Sequence, residues 1–163
     1  MSAVRLAAVA VVLAAGACLP NAIVHYAATL TQVATCEIHA GTVDCQPPAD
    51  GGVILGGTLS VDEREDRTRV FFRDETMLGT FDGDTLKVSD TRDLIREASG
   101  CMTRQHRELD GIVDNPGFGI RRELTGEFRE STTAEGDPQQ CGVNVPYGEL
   151  RRFRVEAVEV SQP

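Results

Sequence analysis

The sequence predicts an all-β domain, an antiparallel meander of about eight strands that forms a small up-and-down barrel or a short sandwich. Apolar residues recur with a period of two along most of the chain, as in strands with one buried face. Turn dipeptides separate these runs. The chain also has five cysteines, enough for two disulfides. Its 163 residues leave room for a single domain with a real core.

The N-terminus has the order of a secretory signal: Arg5, an apolar run from Leu6 to Ala15, and small residues before Cys18. The segment Ala15-Gly16-Ala17-Cys18 resembles the bacterial lipoprotein signal, which implies that the Cys18 thiol takes a diacylglyceryl group and becomes the new N-terminus. Two alternatives stay open. Ordinary signal peptidase could cut at the same small residues, or an apolar run extended through Val24 could remain as an uncleaved anchor.

These readings divide the chain into a signal peptide at 1–17, a lipidated N-terminus and tether at 18–28, and a single β domain at 29–161. In each reading the bulk of the protein lies outside the cytoplasm. The lipoprotein resemblance implies a bacterial cell-envelope protein, in the periplasm or on the outer surface, held to a membrane by its N-terminal lipid. In such a compartment disulfides can form.

The cysteines beyond Cys18 form an even set: Cys36, Cys45, Cys101 and Cys141. A two-residue turn at Ala40-Gly41 places Cys36 opposite Cys45 in a non-hydrogen-bonded pair, where Cα atoms approach to about 4.5 Å. This pairing leaves Cys101 to bond with Cys141. Buried thiols or a metal site are the alternative, but there is no C-x-x-C and no cysteine near a histidine at ligand spacing. We therefore expect two disulfides, no metal and no cofactor.

Three strands are predicted in the first half of the chain. Residues Val53 to Val61 alternate, a charged turn follows at Glu63 to Asp66, and Val70 to Phe72 form the next strand. Thr76 to Phe81 then run into Asp82-Gly83, a strong hairpin signal. A two-residue turn there would place Met77 opposite Val88 and Gly79 opposite Leu86.

The second half contains a weak repeat, with Arg107 to Val113 resembling Arg122 to Phe128. A turn at Asp114 to Gly117 would join them, and the second strand would begin at Phe118. The mid-strand glycines Gly79, Gly111 and Gly126 suggest bulges or sharp bends. The last strand alternates from Phe153 to Ala157 and then changes parity at Val158, which suggests a bulge.

Two segments do not follow this pattern. Ser89 to Ser99 has capping residues and apolar residues at helical spacing, so a short helix near 90–98 competes with a continued strand. Thr132 to Glu149 lacks periodicity and predicts a long loop that Cys141 would hold in place. A loop of this kind is where a binding surface could lie.

No catalytic motif is present, neither a nucleophile elbow nor a zinc-binding H-E-x-x-H, and His25, His39 and His106 are scattered. His106 could face Glu123 or Glu127 across a hairpin, but with no nucleophile nearby we interpret it as part of a surface charge ladder. The acidic run Asp62 to Asp66 lacks the spacing of a calcium loop. The basic cluster Arg151, Arg152 and Arg154 could meet an acidic partner, although its alternation is typical of an exposed strand face. The net charge of -9 argues against nucleic acid as a partner.

The meander, the mid-strand glycines and the leader together resemble small lipocalin-like envelope proteins of the calycin type. This resemblance implies a non-catalytic protein that binds a small apolar ligand or another envelope component, and it assigns no site residue. The alternative is a structural or protein-interaction module with a filled core, which uses the Cys141 loop. A hydrolase with an atypical site is a third hypothesis. A carrier predicts an interior apolar cavity, whereas a module predicts an exposed apolar patch near Cys141.

Overall fold

The computed structural model describes residues 23–62, 67–96, 100–115, 117, 120–141 and 147–160. Nine strands account for most of these residues. They are β1 (Ile23–His39), β2 (Thr42–Gln46), β3 (Ile54–Asp62), β4 (Thr68–Phe72), β5 (Glu75–Asp82), β6 (Thr85–Arg96), β7 (Met102–Asp114), β8 (Glu123–Glu135) and β9 (Tyr147–Glu159). One 3-10 turn at Ala49–Gly51 and one α-helical turn, α1 (Pro138–Cys141), complete the elements.

The strands form a closed antiparallel barrel. Neighbours follow the order β2-β1-β3-β4-β5-β6-β7-β8-β9, and β1 also pairs with β9, which closes the ring. Eight strands make up the barrel, and β2 is an extra strand that pairs with the second half of β1. The all-β prediction is confirmed, and the architecture is a barrel rather than a sandwich.

Apolar side chains fill the base of the barrel. Every strand except β2 contributes to this core, and on each of them the buried residues follow the period of two that a strand imposes. The core side chains are Tyr26, Ala28, Leu30, Leu59, Val61, Val70, Phe72, Met77, Leu86, Val88, Leu109, Val113, Leu124, Phe128, Phe153, Val155 and Ala157. Burial of this face is the main driving force for folding.

The barrel wall is taller on one side than on the other. The β5–β6 ladder ends at Leu78 and Ser89, whereas β6 continues to Arg96 along β7. Strands β7, β8, β9 and β1 also extend beyond the core, and β2 is added next to β1. The upper part of the molecule is therefore an open, curved wall whose concave face stands above the filled base.

Both predicted disulfides are present in the structure. The β1–β2 hairpin turns at Ala40 and Gly41, which have φ of 47° and 86°, and Cys36 lies opposite Cys45 with Cα atoms 3.9 Å apart. Cys101 bonds to Cys141 with Cα atoms 5.0 Å apart, which links the segment after β6 to α1. The bonds join the pairs expected from the sequence, and both lie in the upper part of the molecule.

The predicted register of the β5–β6 hairpin is wrong by two residues. The turn consists of Gly83 and Asp84, so Gly79 lies opposite Val88 and Phe81 lies opposite Leu86. Gly83 has φ of 64° at the first turn position, where a type II′ turn requires glycine. A shift of two residues keeps the same faces inside, which is why the burial pattern could not reveal it.

The helix predicted near 90–98 does not form within the described residues, because β6 continues to Arg96. Asp90 to Asp93 each pair with a residue of β7, and the register shifts once at Leu94, whose side chain is half exposed. A full partner strand outweighs the local helical pattern. Residues 97–99 lie outside the described part.

The β7–β8 hairpin has a longer loop than predicted. The ladder closes at Asp114 and Glu123, so the second strand does not begin at Phe118, which lies outside the described residues, and Ile120 is largely exposed. Just before β8, the Arg122 backbone N–H donates to the Glu159 side chain and its carbonyl accepts from the Glu159 N–H, so the chain already lies against the end of β9 there.

The loop predicted from Thr132 to Glu149 is shorter in the structure. β8 continues to Glu135 and β9 begins at Tyr147, so both strands take residues that the sequence pattern left unassigned. Only residues 136–146 connect them, and 142–146 of these lie outside the described part.

Two of the three mid-strand glycines, Gly79 and Gly126, mark close backbone approaches and not bulges, whereas a Cβ at Gly111 would have its nearest neighbour at 3.4 Å. A Cβ at Gly126 would lie 2.2 Å from the Asp110 carbonyl oxygen, so no larger residue fits there without backbone movement. The register shifts occur instead at Leu94 and between Gln32 and Ala34 of β1. The bulge predicted in β9 is therefore wrong: β9 pairs regularly with β8, and Val158 points outward.

The N-terminal predictions fall largely outside the described residues, including the leader at 1–17 and Cys18. β1 begins at Ile23, so residues 23–28, assigned from the sequence to a tether, belong to the barrel. Val24, the end of the alternative anchor, is also part of β1. The predicted turn at Glu63 to Asp66 is likewise outside the description. No helix within the described ranges has the length and apolar character needed to cross a membrane.

Candidate binding site at the open end of the barrel

The inner face of the tall wall changes from apolar to polar along each strand. On β8, Leu124 and Phe128 face the core, and the next inward positions are Glu130 and Thr132. The alternation that buries the core thus continues upward with polar side chains. β7 and β9 make the same change.

These polar side chains line a cavity of about 560 Å³, which we call the trough. Its lining includes Glu37, Gln105, Glu130, Thr132, Tyr147 and Glu149. A cavity of this volume is in the range of small-molecule sites, although such sites are usually more apolar.

Charges alternate across the lowest row of the wall. Asp90, Arg107, Glu130 and Arg151 lie opposite one another on β6, β7, β8 and β9. Opposite charges that face each other across strands stabilise a sheet. This row is therefore a ladder of opposite charge on the concave face.

Arg107 is the centre of this row, with only 11% of its side chain exposed. Its guanidinium lies 2.7 Å from Glu75 and 3.1 Å from Glu130. It also donates to the Gln105 side-chain oxygen at 2.7 Å, and Gln105 in turn donates to Glu130. Arg92 extends the network to Glu75 and to Asp90. The hydrogen bonds of Arg107 hold Gln105 and Glu130, two side chains of the trough lining, in place.

The ion pairs keep the Glu75 carboxylate charged. The hydrogen bond from Arg107 lowers the pKa of Glu75 against the opposing effect of burial, and the charges of Arg107 and Arg92 lower it further. The carboxylate is therefore ionised at neutral pH and is not available as a proton donor there.

Below Arg107 lies a smaller cavity of about 240 Å³, which we call the throat. Its lining combines four apolar side chains with five charged ones: Leu55, Phe72, Met77 and Phe128, and Arg73, Asp74, Glu75, Arg107 and Glu130. Glu130 lines both the throat and the trough, so the two cavities are adjacent.

The opposite side of the trough carries like charges. Glu37 of β1 lies directly opposite Glu149 of β9 on one side and Asp44 of β2 on the other. Like charges placed opposite each other destabilise a sheet. Arg151 pairs with Glu149, and the His39 ring nitrogen lies 3.0 Å from Glu37.

Aromatic rings stand next to these carboxylates. The His39 and Tyr147 rings are 5.0 Å apart and tilted by 54°, and 46% of the Tyr147 surface is exposed. Tyr147 therefore presents an accessible ring to the trough beside a row of negative charge.

The histidines are not grouped. His106 pairs with Ser131 and receives or donates a 2.8 Å hydrogen bond with Thr91, so the predicted approach to Glu123 or Glu127 is wrong. His25 bonds to Ser60 at 2.7 Å on another part of β1. Among the described residues no three His, Cys, Asp or Glu side chains are placed to hold a metal ion. Asp62, from the calcium-loop alternative, is buried at the end of β3.

The basic cluster of β9 is committed to carboxylates of its own sheet. Arg152 donates to both oxygens of Glu127 at 3.0 and 2.7 Å, and this hydrogen-bonded pair lowers the pKa of Glu127. Arg154 lies 3.3 Å from Glu156, and Arg151 pairs with Glu149. Arg152 and Arg154 share the outer face, as the alternation predicts.

No model of a known protein family matches this chain, and no curated protein matches it.

The residues of the trough were not predicted from the sequence, although a signal for them exists. Every second residue of β9, counted back from the buried Phe153, faces inward, and these residues are Arg151, Glu149 and Tyr147. The predicted loop from Thr132 to Glu149 hid this pattern. If the strands are extended to the open end of the barrel, the inward positions of β7, β8 and β9 form one polar face.

Proposed function

We propose that the protein is an exported, non-catalytic binding domain whose trough takes up a component of the cell envelope. The observation that carries this proposal is a cavity of about 560 Å³ with a polar lining, set above a base that is filled by the protein's own side chains. A concave face with few, fixed polar groups is a common form of binding site.

The filled base changes the kind of ligand that we propose. The resemblance to lipocalin-like proteins implies a small apolar ligand or another envelope component, but seventeen apolar residues already occupy the base. An eight-stranded barrel holds a ligand only where its interior is not filled in this way. A ligand must therefore have a polar part to occupy the trough.

The position of the N-terminus supports an orientation for an anchored protein. Ile23 begins β1 at the filled end of the barrel, where it lies opposite Asp62 of β3. Cys18 precedes it by five positions. A lipid on Cys18 would hold the filled end near the membrane and leave the trough facing away from it. The two disulfides are compatible with an oxidising compartment.

Photo-crosslinking in the native host tests the proposal. The photoreactive amino acid p-benzoylphenylalanine, placed at Tyr147, preserves an aromatic ring in the trough. The matched control position is Ile112, which is exposed on the outer face of the base. We expect a discrete crosslinked product in the envelope fraction for Tyr147 and none for Ile112. Equal labelling at both positions, or none at Tyr147, would overturn the proposal.

A second candidate is a protein-interaction module that uses the Cys141 loop, and the filled core favours it. Within the described part of that loop, Gly136, Asp137 and Gln139 are exposed and none is apolar. The same crosslinker at Gln139 tests this candidate. A product at Gln139 without one at Tyr147 would favour the interaction module over the trough.

A further inference from the structure

We propose that the trough and throat together bind an amphiphilic cation, a molecule with a protonated amine or similar group on an apolar chain. This inference rests on the proposed function and names the ligand class of the same site. It depends on three features: the sign of the charge in the trough, the aromatic ring at its rim, and the apolar surface of the throat.

The charge of the trough is negative. Three carboxylates line it, Glu37, Glu130 and Glu149, whereas Arg151 is the single guanidinium in the lining that the structure describes. Asp44 adds another carboxylate opposite Glu37. The opposed carboxylates repel each other, and a cation placed between them would remove that repulsion. Glu37 is the most accessible of the three lining carboxylates, with 77% of its side chain exposed.

The guanidinium groups beside the trough are already engaged, while Arg73, which lines the throat, lies over the Phe72 ring. Arg151 pairs with Glu149, and Arg107 holds both Glu75 and Glu130. An anionic head group would have to break one of these pairs and then sit next to the remaining carboxylates. The arrangement therefore selects against an anion by repulsion as well as for a cation.

Tyr147 supplies a second contact for positive charge. Its ring is exposed in the trough and stacks at an angle against His39. The face of an aromatic ring attracts an ammonium group that lies within about 6 Å of its centre. A cation between Glu149 and Glu37 lies next to this ring, because Tyr147 precedes Glu149 by two positions on the same face of β9.

The throat supplies the apolar contact. Phe128, on its floor, and Thr132, opposite Glu149, are four residues apart on β8. At the rise of an antiparallel strand this separation is about 13 Å. That is the length scale of an extended eight-carbon chain with its head group. Such a ligand could place its chain against Phe72, Met77 and Phe128 and its ammonium group beside Glu149.

Isothermal titration calorimetry with three eight-carbon probes tests the inference on the full exported protein. The probes are octylammonium, octyl glucoside and octanoate, used below the concentrations at which they form micelles. We expect octylammonium to bind at least about tenfold more tightly than octyl glucoside, because a charge-assisted contact contributes roughly 1.4 kcal/mol or more. We expect no binding of octanoate.

Charge variants show whether the trough is responsible. The double variant Glu37→Gln/Glu149→Gln should weaken octylammonium binding by about tenfold. The matched control Glu156→Gln lies on the outer face of β9 and should leave affinity unchanged. Because the double variant removes a like-charge contact, it should fold, and unfolding curves check this directly.

Two results would overturn the inference. Octanoate or octyl glucoside could bind as tightly as octylammonium, or the double variant and its control could behave alike. Either result leaves the proposed function to be judged by crosslinking at Tyr147. If crosslinking also fails there, the proposed function fails independently of the ligand class.

Discussion

The two disulfides should contribute unequally to stability, and the Cys101–Cys141 bond should contribute more. Its cysteines are 40 positions apart, whereas Cys36 and Cys45 are 9 apart. In the chain-entropy model, loops of these lengths stabilise the folded state by about 4 and about 2.5 kcal/mol. Replacing Cys101 and Cys141 together by alanine should therefore lower the free energy of unfolding by about 1.5 kcal/mol more than replacing Cys36 and Cys45.

Equilibrium unfolding in urea, followed by circular dichroism at neutral pH, measures both losses. Each alanine pair also increases the surface exposed on unfolding, so the urea m-value should rise in both variants. Paired substitution avoids an unpaired thiol, and the small size of alanine limits strain at the buried Cys36 and Cys101.

An equal loss in the two variants, or a larger loss for the short loop, would refute this reasoning. Such a result would mean that the contribution comes from native contacts near the sulfur atoms. A wild-type protein that loses no stability under reducing conditions would contradict both assignments.

Three further changes test the fold and the ion network. Gly126→Ala should lower the urea midpoint of unfolding strongly, because the new Cβ would lie 2.2 Å from a backbone oxygen. The control Gly56→Ala, with open space around the new Cβ, should have little effect. Similar midpoints for the two variants would contradict the close approach at Gly126. Arg107→Met should cost about 2 kcal/mol of unfolding free energy, because it removes a largely buried cation from two partly exposed carboxylates, which then keep only Arg92 and Gln105 as partners. Thermal unfolding at pH 7 measures the loss, and no change would show that Arg107 contributes nothing to the network. Arg107 lowers the pKa of Glu75, so the stabilisation is present above the ordinary pKa of 4.5 and disappears as pH falls through the lower pKa of the folded protein. Wild type should therefore lose more stability than Arg107→Met between pH 5 and pH 2. Parallel profiles of stability against pH would contradict this. Ala40→Gly should raise the melting temperature by relieving about 1 kcal/mol of strain at φ of 47°, and a lower melting temperature would argue against that turn.

The sequence predicted the all-β class and the β1–β2 hairpin because both depend on local information. Alternation marks a buried face, and Ala40-Gly41 places two cysteines in register within ten residues. The closure of the barrel by β1 and β9 joins the two ends of the domain, and the resemblance to meander proteins, not any local pattern, suggested it.

The full length of β6 and the start of β8 could not be predicted from the sequence, because both depend on pairing with strands that are distant in the chain. Ser89 to Arg96 form a strand because β7 offers a partner along this segment, and β8 begins at Glu123, where its ladders with β7 and β9 both start. The trough was missed for the same reason. Its polar residues acquire a common face only when three strands extend past the core.

Nuclear magnetic resonance titration of the ¹⁵N-labelled protein with octylammonium tests the central claim most directly, because it locates binding residue by residue. We predict that amide shifts concentrate at Thr132, Tyr147, Gly148 and Glu149, with little change at Thr125 and Ile112 on the outside of the base. Shifts confined to the outer face of the barrel, or a spectrum unchanged at saturating probe, would contradict it.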